Sequence, residues 1–370
     1  MKAIGIILAG GNHEKMGLLT HRRAVSAMPI GSCYRCVDFA LSNLTNSGIR
    51  KVSVIVQYNS RSLYDHLSSS KWWDLGSKQG GLFIFSPYQS SDNSSWFRGT
   101  ADSIHQNIAF LAKSNEPYVI ITSGDAVYKA DFNEILSTHI DSGADITIVY
   151  KELGEEEDLT RYGVLCFDEN NQMVEFEEKP LEPLSNCVST GIYIIGRTLL
   201  IKLLEAIIPE GRYDIVKDIL IRYRKKLNIK GYRFEGYWRA INSVQAYYDA
   251  NMDFLNKDVR GLFTKQLPYT ATKPKDEPPA KYNLSANVKS SLVGSGSILN
   301  GFIDHSVLFR KVFTGENTHI QRSVIMEGCY IGNHCVVEHA ILDKEVVLSD
   351  GKQIIGTPEE PVILAKSSVV

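Results

Sequence analysis

Between residues 283 and 370, β-branched aliphatic residues recur every five or six positions, at Val288, Val293, Ile298 and Ile303 and again at Ile320, Ile325, Ile331, Val336 and Ile341. A spacing near six is the signature of a hexapeptide β-helix, in which each coil places one aliphatic side chain in a stacked interior. Gly332, after Ile331, is one of several small residues at the turns. An irregular β-sandwich is the other fold this texture allows. A β-helix has exposed coil edges and limited solubility alone, so it is expected to pack on another domain or subunit, and oligomerisation is expected.

The first 266 residues read differently. Ile4-Gly5-Ile6-Ile7-Leu8-Ala9 is an apolar run ending in Gly10-Gly11, a buried first strand entering a phosphate-facing turn. Similar runs lie at 51–56, 118–122 and 145–150, with helical periodicity between them, as from Asp102 to Lys113, where Ile104, Ile108 and Leu111 share a face. That alternation predicts a doubly wound α/β domain with its ligand site at the C-terminal ends of the strands. Pro268, Pro274, Pro278 and Pro279 interrupt any periodic element, so 267–282 is expected to link a domain at 1–266 to one at 283–370.

A chain of 370 residues with 44% hydrophobic residues can bury one large core and a smaller one. Its net charge of -2 provides no basic field for nucleic acid. No apolar run reaches the roughly 18–20 residues needed to span a bilayer, and the start is too short for a signal segment, so a cytoplasmic protein without membrane contact is expected. Six cysteines spread over the chain are expected to be mostly reduced. Cys33 and Cys36 have the spacing of half a zinc site, but no second pair completes it, and they read as small side chains near the core.

Several segments, taken in order, resemble the ADP-glucose pyrophosphorylases (glucose-1-phosphate adenylyltransferases). They are Leu8-Ala9-Gly10-Gly11, the stretch from Tyr34 to Asn43, Asn46-Ser47-Gly48-Ile49, Gly99-Thr100-Ala101-Asp102, Ser123-Gly124-Asp125, Phe176-Glu177-Glu178-Lys179-Pro180 and Gly236-Tyr237-Trp238-Arg239. The resemblance extends through the β-helix and implies a Rossmann-like (GT-A-like) nucleotidyltransferase domain followed by a left-handed parallel β-helix. It implies a reaction in which a sugar phosphate oxygen attacks the α-phosphorus of ATP and pyrophosphate leaves. Cations screen the two anions and support charge on the leaving group. In the family, two aspartates hold Mg2+, glycine-loop amides and an arginine meet the triphosphate, and a lysine adds positive charge. By resemblance, Gly10, Gly11, Gly99, Asp125, Glu178, Lys179, Ser189 and Gly191 are substrate-binding positions, Asp125 is a metal position, and Tyr193, Lys217 and Asp218 belong to the sugar-phosphate region.

The chain departs from that pattern on the nucleotide side. After Gly10-Gly11 the expected Gly, Thr and Arg are replaced within Asn12-His13-Glu14-Lys15-Met16. His13 adds volume, Glu14 adds negative charge, and Lys15 keeps an arginine's charge without its fork. The expected lysine of the Arg23-Ala24 segment is Val25, and the second metal aspartate is Ala240. A lone Asp125 with substrate phosphates can still recruit magnesium, which often uses one or two protein carboxylates.

A degraded nucleotide side on an intact scaffold resembles the D-type subunit of the two-subunit enzyme of bacilli. The resemblance implies a regulatory subunit, non-catalytic or weakly active, that raises a catalytic subunit's output in glycogen biosynthesis as part of a hetero-oligomer, a tetramer in expectation. Lys15 and Asp125 are then vestigial catalytic positions. A rearranged active adenylyltransferase and a sensor of ATP, glucose 1-phosphate or a related sugar phosphate are the alternatives. Locally, the bland reading of Asp125 is a cap after a strand and that of Lys179 a solvated charge run, each second to the family-derived role, while Tyr237 and Trp238 read as core before sugar pocket.

Overall fold

The computed structural model describes residues 2–11, 14–76, 80–88, 96–154 and 157–370. The apolar runs become strands of one mixed sheet. In chain order the elements are β1 (Ala3–Leu8), the hairpin β2 (Pro29–Ile30) and β3 (Tyr34–Arg35), α1 (Cys36–Asn46), β4 (Lys51–Ile55), α2 (Arg61–Leu67), β5 (Gly81–Phe85), α3 (Thr100–His105), α4 (Ile108–Ala112), β6 (Tyr118–Ser123), β7 (Ala126–Tyr128) and α5 (Phe132–Asp141). Then follow β8 (Ile146–Glu152), β9 (Gly163–Phe167), β10 (Met173–Glu178), β11 (Cys187–Gly196), α6 (Arg197–Ile207), β12 (Ile229–Arg233), β13 (Trp238–Ala240), α7 (Val244–Asp253) and α8 (Lys257–Thr264).

The sheet runs β10-β9-β11-β6-β1-β4-β5, with β8 on β11 and β12 on β8. β1 pairs in parallel with β4 and β6, while β11 runs antiparallel to β6 and β8. Alternate side chains of β1 enter two cores, Ile7 on one face and Ile4 and Ile6 on the other. Covering both faces makes the central strands read as continuous apolar runs. β1, β4 and β6 all end at the same edge, where Gly10, Gln57 and Gly124 follow.

The helix expected from Asp102 to Lys113 is two helices, α3 and α4, broken at Gln106 and Asn107. The Asn107 amide donates to the Ser103 carbonyl at 2.8 Å, and its backbone leaves the helical region. This is the side-chain competition with the backbone that makes asparagine poor inside helices.

From Lys281 the chain winds into a left-handed β-helix of three five-stranded parallel sheets. Equivalent inward positions on one face are Val288, Ile303, Ile320, Val337 and Ile354. Leu299, Ile325, Ile331 and Leu342 fill the same interior from the other faces. The expected ladder is right at Val288, Val293, Ile303, Ile320, Ile325 and Ile331 and slips by one at three places. Ile298 is 40% exposed while Leu299 is buried, Val337 rather than Val336 points inward, and Ile341 faces the first domain. In a strand, one residue of slip moves a side chain to the opposite face.

The two domains share a core. Leu292, Val307, Val324, Ile341 and Ile363, the outward ladder of one β-helix face, pack against Met16, Val25, Met28 and the helices α7 and α8. The segment 265–280 contains no helix or strand, and Lys281-Tyr282 already pair with Ile298-Leu299 as the first rung. It is strapped along the first domain: Ser42 Oγ accepts from Ala271 N at 2.9 Å, and Thr272 Oγ1 donates to buried Asp38 at 2.6 Å.

Candidate active site

A cleft with two lobes opens at the C-terminal ends of β1, β4 and β6. The first, about 290 Å³, is lined by Gly10, Gly11, Gln57, Tyr58, Phe97 and Gly99 among others. Gly99 is required by close approach, because a Cβ there would lie 2.4 Å from the Tyr213 carbonyl oxygen. That carbonyl accepts from Ala101 N at 2.8 Å. Fully buried Asp102 accepts from Arg98 N at 2.9 Å, Arg98 Nη2 at 2.8 Å and Gln106 Nε2 at 2.8 Å, which fixes the loop before α3.

The second lobe, about 350 Å³, shares Leu8, Gly11 and Thr100 with the first. It brings together Asp125, Glu178, Lys179, Ser189, Gly191 and Ala240, which come from four different strands or their ends. Gly191 takes φ +73° at a register shift in β11 between Ser189 and Ile192, a left-handed position suited to glycine. Its N–H donates to Ser189 Oγ at 3.3 Å, and Ser189 Oγ lies 3.3 Å from Tyr193 Oη. Burial pushes the Tyr193 hydroxyl well above the ordinary tyrosine range, so it stays neutral. Burial also raises the Glu178 carboxyl, with Asp214 adding to the rise and Lys179 and Lys217 opposing it. Lys179 is exposed and 3.9 Å from Glu178.

Asp125 and Ala240 meet through a two-stranded ladder. Ala240 pairs with Ala126, and Ile241 N donates to the Asp125 carbonyl oxygen at 2.7 Å. Ser123 Oγ donates to the Asp125 carboxylate. The neighbour of Asp125 on β13 is thus a methyl group. Among the described residues no group of three or more histidine, cysteine, aspartate or glutamate side chains is placed to hold a metal. Beside Asp125, β13 offers no second carboxylate for magnesium.

Trp238 packs into the core beneath the sheet and also lines the second lobe. It is 8% exposed, and its indole N–H is buried without an acceptor among the described residues. Arg161 and Asp214 line the same lobe and carry no motif signal in the sequence. Arg161 is held by Asp158 at 2.6 Å and donates to Ser243 Oγ at 3.0 Å. Asp218 accepts from Tyr213 N and Asp214 N, both at 2.9 Å, and so positions the segment carrying Asp214, while Lys217 is exposed beside it.

Two nucleotide-side positions lie elsewhere. Lys15 lines a separate hollow between the domains with Ser243, Gln245, Glu359 and Glu360. Val25 is 3% exposed and buried in the core between the domains. Glu14 is exposed, and Asn12 and His13 lie outside the described residues.

Residues 4–257 match the nucleotidyl transferase family, and residues 278–361 match the GlmU-like C-terminal hexapeptide family. Glucose-1-phosphate adenylyltransferases of Bacillus thuringiensis (strain Al Hakam) and Bacillus anthracis are each 37% identical over 365 residues, covering 98% of this chain and 96% of the relative. This chain belongs to the glucose-1-phosphate adenylyltransferase family. Members of the nucleotidyl transferase family typically use Mg2+. In this adenylyltransferase-family chain the two lobes sit where the open α/β sheet places ligands, outside the carboxyl ends of its strands. No described helix is long and apolar enough to cross a membrane.

Proposed function

We propose that this chain is a regulatory subunit of an ADP-glucose pyrophosphorylase, non-catalytic or weakly active. It raises the synthesis of ADP-glucose from ATP and glucose 1-phosphate by a catalytic partner subunit in glycogen biosynthesis. The observation that carries the reading is the methyl group of Ala240 beside Asp125, at the position where the family pattern places its second magnesium carboxylate. Val25, buried between the domains, adds no charge to the cleft, and Lys15 lies outside both lobes. Removing one preorganised electrostatic contact costs about 10² to 10³ in rate. The changes act on one unit and so do not simply multiply.

The second lobe supports binding of a sugar phosphate without turnover. Lys179 and Arg161 supply positive charge for a phosphate, while the Ser189 hydroxyl offers a hydrogen bond to a sugar oxygen. Occupancy of that lobe, or contact alone, biases the catalytic neighbour toward its active arrangement, in a cytoplasmic hetero-oligomer. Two measurements on the purified chain test the reading. Pyrophosphate release should be at least about 100-fold below that of a catalytic homologue. Calorimetric titration should still detect glucose 1-phosphate in the presence of EDTA, and Lys179→Ala should weaken it about tenfold or more. Turnover at a homologue's rate overturns the proposal.

A further inference from the structure

Among the described residues, Arg161 alone lines both the second lobe and the hollow between the domains. It ends a short 3-10 turn (Leu159–Arg161) capped by Asp158, whose carboxylate accepts from Thr160 N at 3.1 Å and from Arg161 Nε at 2.6 Å. On its other side Arg161 Nη1 donates to Ser243 Oγ at 3.0 Å. That oxygen also accepts from Ala246 N at 3.1 Å, as the N-cap of α7. Nη2 makes no hydrogen bond among the described residues. Two segments of the chain thus fix a planar fork of the shape that meets phosphate oxygens in pairs.

α7 is also an element on which the β-helix sits. Gln245 Nε2 donates to the Pro358 carbonyl oxygen at 2.9 Å, and Tyr248 Oη donates to the Arg322 carbonyl oxygen at 2.6 Å. Tyr247, Tyr248 and Ala250 lie in the core that the domains share. A cation is the wrong sign for a helix N-terminus, whose unpaired N–H groups carry partial positive charge. Asp158 offsets Arg161 in part, as do Glu359 and Glu360, which line the hollow. An anion held by Arg161 in the second lobe adds to that offset.

We propose that Arg161 couples the second lobe to the seat of the β-helix: the serine that caps α7 positions the guanidinium that takes the anionic group of a sugar phosphate. Ser243 and Asp158 are positioning residues in this arrangement, and Arg161 makes the contact. Binding in the lobe stabilises the first turn of α7, and by linkage whatever stabilises that turn tightens the lobe by the same factor. The inference rests on the reading that the second lobe holds a sugar phosphate, and it does not depend on the regulatory role.

Calorimetric titration of the full chain with glucose 1-phosphate in EDTA, read alongside hydrogen exchange of the α7 amides, tests it. Arg161→Ala is expected to weaken binding about tenfold. Ser243→Ala is expected to weaken it about fivefold, and Ser243→Thr, which keeps the hydroxyl, to restore it. In the Arg161→Ala background, Ser243→Ala is expected to add no further loss, since the serine acts through the arginine. Saturating glucose 1-phosphate is expected to slow exchange at Ala246 and Tyr247 severalfold in the unaltered chain and not in Arg161→Ala. Unchanged affinity in Ser243→Ala, losses that add in the double variant, or exchange at α7 that ignores the ligand overturns the inference. If Lys179→Ala still weakens binding in that case, the sugar-phosphate reading stands without the coupling. Absence of binding by the unaltered chain overturns both.

Discussion

Arg23 Nη2 and Asp343 Oδ1 meet at 2.6 Å across the boundary between the two domains, with side chains 5% and 2% exposed. Arg23 Nη1 also reaches Met326 Sδ at 3.3 Å. The pair sits in the apolar core that joins β-helix to α/β domain, so the domains are fused by packing and by one desolvated charge pair. Breaking a buried pair leaves an uncompensated charge, which costs about 3–5 kcal/mol. Arg23→Ala is therefore expected to lower unfolding stability by that amount in urea titrations. The double variant Arg23→Met with Asp343→Leu is expected to lose much less, since replacing both partners removes the buried charge altogether.

Beside that pair, Glu327 takes hydrogen-bonding contact from Lys344 at 2.8 Å and from Arg310 at 2.9 Å. Burial acts to raise the Glu327 carboxyl, but Lys344, Arg310 and Arg35 outweigh it and hold it below the ordinary glutamate value. A carboxylate depressed in the fold contributes stability above its unfolded pKa and loses it as pH falls through the folded value. Stability is thus expected to fall on acidification below the ordinary glutamate pKa of about 4.3. Glu327→Gln is expected to be less stable at pH 7 and to show a shallower acid limb, read by thermal melts across pH.

The β-helix interior gives a contrast between neighbouring positions. Ile320 is fully buried in the coil, and Ile298 is 40% exposed on the outer face. Ile320→Ala should cost about 2–5 kcal/mol through lost burial and the cavity left behind. Ile298→Ala should stay within about 0.5 kcal/mol in the monomer, as exposed substitutions usually do. Equal losses at the two positions, in denaturant titrations, would mean that the coil register is shifted.

That contrast marks what could be read from the chain before its fold. The period near six was legible because every coil repeats it. Its phase was not, because both sides of the coil wall carry aliphatic residues, as at Ile341, which packs on the first domain, and Ile298, which faces outward. The central strands were legible because burial on both faces makes them uniformly apolar. β9 and β10 were not, since β10 carries Glu175, Glu177 and Glu178 and is largely open on one side. At the candidate site, glycines and acidic motifs stood out by family pattern. Arg161 and Asp214 did not, because only the fold brings them to the second lobe. The adjacency of Asp125 and Ala240 likewise depends on β13 returning beside β7.

The most direct measurement is pyrophosphate release from ATP and glucose 1-phosphate by this chain alone, by a catalytic homologous subunit alone, and by the two mixed. A chain that is silent alone yet raises its partner's rate is the expected result. Turnover by the isolated chain at the partner's rate, or a mixture no faster than the partner alone, would contradict the account.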